Sequence, residues 1–268
     1  MKYINCEKYA KEILDEVKEV KHNQHFAIVS VGDNPASQSY IKGKIKDCEY
    51  CGIPYVHKHI ELDGNTNKKF ALEYMLSYLA ADENVSAIIL QLPLPDGWEE
   101  EHFLKFIPAH KDVDGLVANS SFVPCTPEGV MYVLGKELGF SAKSLSGKNA
   151  LIIGRGKLVG RPLFDMLLGM DCTVTVAHSK TKNLEDMLGN YDIIVSAVGK
   201  PKLVDLTKCT KAQVIVDVGV NRVDGKLCGD CYNFDETINE NLRVTPVPKG
   251  IGLLTRAMLM QHIAELNK

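Results

Sequence analysis

The sequence predicts an α/β fold in two lobes, the second of them Rossmann-like, with the last helix returning to the first lobe. Two series of short apolar runs alternate with helical patterns, one before about residue 90 and one from about Lys148 onward. Such alternation marks βαβ units and a parallel sheet. The second series opens on Ala150-Leu151-Ile152-Ile153, followed at once by Gly154-Arg155-Gly156-Lys157-Leu158-Val159-Gly160. A buried strand feeding a glycine-rich turn and then a helix is the local architecture that holds a phosphate in open α/β sheets.

The elements follow in order. Residues 6–20 carry an amphipathic helical pattern. Phe26 to Val31 reads as a strand, stopped by the turn chemistry of Gly32-Asp33-Asn34-Pro35. A helix follows from about Ser37 to Cys51, then a strand Tyr55 to Ile60, a helix Asn67 to Ala81 and a buried strand Ala87 to Leu90. Residues 126–140 form a connecting helix with Pro127 at its start, where a missing N–H is tolerated. Strands are expected near 149–153, 172–176, 192–196 and 213–217, a helix from Leu163 to Leu168, and a closing helix from Leu253 to Leu266. This places a first lobe at 1–118, joined by the closing helix 252–268, a connecting segment at 119–145, and a second lobe at 146–251. A cleft between lobes is the default ligand site.

Composition narrows the class. A chain of 268 residues is long enough to bury a sizeable core. A net charge of −3 points to no nucleic-acid or membrane partner. No apolar run approaches the roughly 18 residues that a membrane span needs, and Met1 to Glu7 carries no apolar signal segment, so the cytoplasm is the expected place. The eight cysteines include Cys48-x-x-Cys51 and Cys228-x-x-Cys231. The first pair falls in a helical pattern and no histidine-rich segment accompanies either, so reduced thiols are expected and no metal site.

The strand after the glycine turn sharpens the nucleotide reading. Cys172 to Val176 ends in Ala177-His178-Ser179-Lys180. An NAD site usually places an acid here for the ribose 2′-hydroxyl, and none is present. Ser179 and Lys180, with Arg155 in the first turn, suit a 2′-phosphate, which favours NADP. The bland alternative is that His178-Ser179-Lys180 is a solvated loop. In the first lobe, Tyr40 and Lys44 stand four residues apart and so share a helix face. They suit a stacking ring beside a proton-handling amine, and equally an ordinary solvated helix. Gln91, in Gln91-Leu92-Pro93-Leu94-Pro95, lies at a strand's C-terminal end, where such sheets bind ligands. Lys111-Asp112-Val113-Asp114-Gly115 puts two carboxylates in a turn.

In combination these segments carry a resemblance. Val31-Gly32-Asp33-Asn34-Pro35-Ala36-Ser37 leading into Tyr40-x-x-x-Lys44, Gln91-Leu92-Pro93-Leu94-Pro95, Lys111-Asp112-Val113-Asp114-Gly115 and Pro124-Cys125-Thr126-Pro127 occur in that order. Gly154-Arg155 with Val159-Gly160, His178-Ser179-Lys180-Thr181 and Thr245-Pro246-Val247-Pro248 follow. The chain resembles, end to end, the bifunctional methylenetetrahydrofolate dehydrogenase/methenyltetrahydrofolate cyclohydrolase family. The resemblance implies an N-terminal catalytic domain and an NADP-binding domain. It implies NADP-dependent oxidation of 5,10-methylenetetrahydrofolate to the methenyl form, then hydrolysis to 10-formyltetrahydrofolate. It makes Lys44 the catalytic lysine, Gln91 its partner, Tyr40 the stacking ring and Asp114 the pterin anchor. Arg155 and Ser179 would meet the 2′-phosphate beside Gly154 and Gly156, and the backbone near Val220 the nicotinamide end. It also implies a homodimer joined through the nucleotide lobes. A neutral Lys44 near pH 7 would need its pKa lowered by about 3 from roughly 10.4.

Two segments depart from the family pattern. Gly156 stands where the family has serine in Gly-Arg-Ser. The family's Pro-Gly-Gly-Val-Gly-Pro-Met-Thr reads Pro248-Lys249-Gly250-Ile251-Gly252-Leu253-Leu254-Thr255 here. Both fall on the dehydrogenase side, so the alternatives are a member with impaired dehydrogenase or a non-catalytic NADP- or folate-binding protein.

Overall fold

A computed structural model describes residues 1–62, 67–139, 142–236 and 239–267. The chain divides into two compact units, Lys11–Val123 with the residues from Arg256 onward, and Met1–Ala10 with Pro124–Thr255.

The first of these units is built on a three-stranded parallel sheet with His25–Val31 in the middle, Tyr55–Ile60 on one side and Val85–Leu90 on the other. All but the first residue of His25–Val31 are buried, as a central strand covered on both faces requires. The helix Lys68–Ala81 sends Leu72, Leu76 and Leu79 into one core, joined by Val29, Ile88, Leu90, Phe103 and Ile107. The helix Pro35–Cys51 begins where expected from the turn residues. Asn34 accepts from the Ala36 and Ser37 amides, Pro35 takes the first turn, and Gly52 ends the helix in the left-handed conformation. Its buried face carries Ile41, Gly43, Lys44, Asp47, Cys48 and Cys51. The Cys48 thiol donates to Met260 Sδ at 3.7 Å, and burial pushes the Cys48 and Cys51 thiols up to about 12. Those two behave as apolar packing groups.

The other unit holds a six-stranded parallel sheet. Its order is Lys2–Tyr3, Arg243–Val244, Val214–Asp217, Ile193–Ser196, Asn149–Ile153, Thr173–Ala177. From Asn149 onward the strands therefore run 2-1-3-4-5, a doubly wound order whose reversal falls between Asn149–Ile153 and Ile193–Ser196. The expected strands are present with ends moved by about one residue. The central residues of Asn149–Ile153, Ile193–Ser196 and Val214–Asp217 are fully buried, which is why these strands read as continuous apolar runs, whereas the edge strand Thr173–Ala177 is partly exposed. The helix Cys125–Leu138 belongs to this unit. Gly129 is required there, because a Cβ would come within 2.9 Å of Leu254 Cβ.

Four short pairings among the described residues were not expected, one being that of Arg243–Val244 with Val214–Asp217. Lys2–Tyr3 extends the six-stranded sheet, Asn221–Val223 pairs antiparallel with Lys226–Cys228, and Cys231–Tyr232 pairs parallel with Val204–Asp205. The closing helix spans Ile251–Glu265. Leu253 lies in its first turn, where its N–H donates to the Gly250 carbonyl at 3.0 Å, a bond that the family's proline cannot make. Among the described residues no helix is long and apolar enough to cross a membrane.

Lys249 adopts φ 73°, the left-handed region. A side chain there carries a steric cost of about 1–2 kcal/mol, part of which glycine would return through its greater unfolded freedom. The ammonium pairs at 3.1 Å with Glu7, both side chains exposed, so the pair offsets little. Lys249→Gly is expected to stabilise the protein by about 0.5–1 kcal/mol, read as a rise in the denaturation midpoint. A fall in the midpoint would mean that the ion pair outweighs the backbone.

Candidate functional site

The four residues expected in the first lobe divide into a contacting pair, Lys44 and Gln91, and two others, Tyr40 and Asp114. Lys44 is buried, 6% exposed, and its Nζ donates to Gln91 Oε1 at 3.1 Å. Gln91 is fixed in turn. Its backbone N–H donates to the Val29 carbonyl and its Nε2 to the Leu92 carbonyl, at 2.8 Å each. With Nε2 so engaged, Oε1 is the atom left to face the lysine. Tyr40, one turn before Lys44, is exposed enough to offer its ring to a ligand. Asp114 is half-buried in a loop that Asp112, not Asp114, organises. The Asp112 carboxylate accepts from the amides of Asp114, Gly115 and Val117. Burial pushes its pKa up, against those hydrogen bonds. Among the described residues no side-chain hydrogen bond engages the Asp114 carboxylate, which stands on this braced turn.

Lys42 and Lys46 are exposed and point away from this face. The cation packed against the Lys44 turn is Arg256. A Cβ at Gly43 would lie 1.7 Å from Arg256 Nη1, so the glycine makes room for the guanidinium. Arg256 Nε approaches Asp47 Oδ2 at 3.0 Å, but neither atom has an aligned hydrogen bond. Burial raises the Asp47 pKa more than Arg256 lowers it.

Sequence reasoning missed one cluster here. Ser30 Oγ lies 2.8 Å from His57 Nε2 and 3.0 Å from His59 Nδ1. The strand alternation His57-x-His59 puts both rings on one sheet face, the face of Ser30, which pairs with His59. Burial and the neighbouring His59 lower the His57 pKa. Period-two histidines in a predicted strand were the available signal.

In the second unit the glycine turn sits at the strand-order reversal. Gly154 has φ 117°, and a Cβ on it would lie 2.5 Å from the Ala197 carbonyl oxygen. A Cβ on Gly160 would lie 2.3 Å from the Gly154 carbonyl oxygen. These two glycines are obligatory, and they leave the backbone open to a ligand. Gly156 has no neighbour within 4 Å of a Cβ and no positive φ, so its backbone does not demand glycine. Arg155, Gly156 and Lys157 are exposed ahead of the helix Gly160–Leu168, as are Ser179 and Lys180 after the strand Thr173–Ala177. The His178 amide donates to Thr181 Oγ1 and the Lys180 amide to His178 Nδ1, which makes this segment a braced turn. Val220 follows the strand Val214–Asp217 and is 51% exposed. The cradle and the cationic, hydroxylated set around it fit a phosphorylated dinucleotide. Among the described residues no group of three or more His, Cys, Asp or Glu side chains is placed to hold a metal ion.

Comparisons with known proteins match two domains along the chain. Residues 4–114 match the tetrahydrofolate dehydrogenase/cyclohydrolase catalytic domain, and residues 124–268 match the NAD(P)-binding domain of the same family. Bifunctional protein FolD of Agathobacter rectalis is 37% identical over 96% of this chain and 93% of its own. Among solved structures, the bifunctional FolD enzyme of Campylobacter jejuni superposes with a TM-score of 0.88 at 35% identity, over 100% of this chain and 98% of that one. The Trypanosoma brucei FolD protein, solved with NADP and an inhibitor, gives 0.87 at 29% identity over 98% and 96%. With both domain matches, this identity and the buried Lys44–Gln91 pair in hand, the chain belongs to the tetrahydrofolate dehydrogenase/cyclohydrolase family.

Proposed function

We propose that the protein oxidises 5,10-methylenetetrahydrofolate to 5,10-methenyltetrahydrofolate with NADP, and hydrolyses the product to 10-formyltetrahydrofolate, as a bifunctional enzyme of one-carbon metabolism. The observation that carries this reading is the buried Lys44–Gln91 hydrogen bond on a chain that matches both family domains.

Bound NADP supplies the acceptor for the hydride. Arg155, Ser179 and Lys180 bind its 2′-phosphate, and the Gly154 turn lets backbone approach the pyrophosphate. The backbone near Val220 meets the nicotinamide end. Tyr40 stacks on the folate ring system and Asp114 accepts from the pterin. Oxidation demands positioning above all. Hydrolysis demands proton transfer, because the water that adds to the methenyl carbon must lose a proton. Lys44 Nζ takes it, and Gln91 Oε1 holds that nitrogen in place. Nothing in the site favours a non-catalytic binder, which would need no buried lysine held in this way. The active species is a homodimer of the cytoplasm.

The deciding assay supplies methylenetetrahydrofolate with NADP or with NAD, following the reduced nucleotide and the methenyl chromophore separately. NADPH without build-up of methenyl is expected. Faster turnover with NAD would overturn the 2′-phosphate assignment, and no reduced nucleotide from either would overturn the dehydrogenase. Gly156→Ser restores the family hydroxyl in open space. It is expected to tighten NADP by about 0.5–1.5 kcal/mol, or about 2- to 13-fold. Calorimetric titration reads the change, and unchanged affinity would place residue 156 outside the phosphate contacts.

A further inference from the structure

Beyond the turn that holds the phosphates, the second unit contains a buried pair of carboxylates that the reaction does not use directly. Asp230 is 0% exposed and Asp217 1%. Asp230 Oδ2 accepts from Ser196 Oγ at 2.7 Å and from the amides of Val198 and Gly199 at 3.0 and 3.3 Å. Its Oδ1 accepts from the Lys200 amide at 2.8 Å and from Asn221 Nδ2 at 3.1 Å. Asp217 accepts from the amides of Gly219, Asp230 and Cys231. The backbone is cut to fit them: a Cβ on Gly219 would lie 2.0 Å from Asp230 Oδ1, and one on Gly229 2.0 Å from Asp217 Oδ2.

Two carboxylates thus tie together three segments, Ser196–Lys200, Asp217–Asn221 and Gly229–Cys231. The first two leave the C-terminal ends of the strands Ile193–Ser196 and Val214–Asp217, the edge at which open α/β sheets bind ligands. They present Val198 and Val220, 47% and 51% exposed. A Cβ on Gly154 would lie 3.6 Å from Val198 Cγ2, so this surface continues directly from the glycine turn. Five donors converge on one carboxylate that touches no solvent, and three of them are consecutive backbone amides of the exposed loop. Only a group with two acceptor oxygens serves all five; an amide would set a donor against donors.

We propose that Asp230 is a positioning residue for the dehydrogenase reaction: by holding the Val198–Lys200 loop and Asn221, it sets the apolar surface against which the nicotinamide end is aligned. This rests on the dehydrogenase reading above. Asp230 acts through the loop and touches neither substrate nor cofactor, so the cyclohydrolase reaction, built on Lys44 and Gln91, does not depend on it.

The bifunctional chain supplies its own control. Asp230→Asn, in the full-length protein, is measured in three ways: hydrogen exchange of the 198–200 amides without ligand, NADP affinity by calorimetry, and the two activities separately. The cyclohydrolase is assayed from methenyltetrahydrofolate without nucleotide. Faster exchange at 198–200, weakened NADP binding, and a dehydrogenase kcat/KM lower by about 10²-fold with the cyclohydrolase retained are expected, since misplacement by about 1 Å costs on that order. Loosened amides with an unchanged dehydrogenase would overturn the proposal, and so would equal loss of both activities. If Asp230→Asn fails to fold, Ser196→Ala, which removes one donor, must show the same asymmetry in milder form. A wild-type chain that reduces neither NADP nor NAD would refute the dehydrogenase reading itself, whatever Asp230 does to its loop.

Discussion

Lys44→Met is expected to lower the hydrolysis of methenyltetrahydrofolate by about 10²–10⁴-fold, the range for a lost proton-transfer group, while folate still binds. Methionine keeps an unbranched, apolar stem of similar length, so the buried side of the helix Pro35–Cys51 stays packed. What disappears is the nitrogen that donates to Gln91 Oε1. Gln91 keeps its bond to the Leu92 carbonyl, so the strand end is not released. The oxidation relies on alignment and should fall much less. The variant should therefore produce NADPH while the methenyl species accumulates, a pattern visible in one reaction trace. Hydrolysis at near-normal rate, with binding intact, would remove Lys44 from the chemistry.

Gly154→Ala should destabilise the nucleotide-binding unit by about 2–5 kcal/mol, the sum of a forced left-sided backbone and an overpacked contact. The residue sits at φ 117°, and the new methyl would meet the Ala197 carbonyl oxygen at 2.5 Å. That oxygen belongs to backbone at the end of the neighbouring strand, so it has little room to retreat. A penalty of this size is a large part of the stability of an ordinary domain, and NADP binding should be lost with it. Gly156→Ala is the companion, with no neighbour within 4 Å of its Cβ. A chemical denaturation series separates the two, and equal midpoints would refute the claim that Gly154 is the obligatory glycine.

Much of the fold was legible in the chain because the central parallel strands are covered on both faces and read as unbroken apolar runs. Asn149–Ile153 and Val214–Asp217 are clear cases. The short pairings escaped for the opposite reason. Lys2–Tyr3 and Arg243–Val244 are two residues each, too few to show any period. The hairpin Asn221–Val223 with Lys226–Cys228 did leave a signal, Asp224-Gly225, both at positive φ, the turn pair that favours tight hairpins. In the site, Tyr40 and Lys44 could be placed on one helix face from spacing alone, whereas the Lys44–Gln91 contact joins positions 47 residues apart, which no local pattern reports. The Asp217–Asp230 arrangement and the reach of Arg256 depend on tertiary placement in the same way. Lys249 shows the converse: the family's glycine there is a backbone requirement, visible only once φ is known.

The room that Gly43 leaves for Arg256 also bears on how this sequence can change over generations. A side chain at residue 43 must displace the guanidinium that lies across it, and a shorter residue 256 takes the cation away from the buried Asp47 carboxylate. Residues 43, 47 and 256 touch one another, so their substitutions are coupled and do not add. Around the turn that carries Lys44, the effect of one replacement therefore depends on which of the others has already been made.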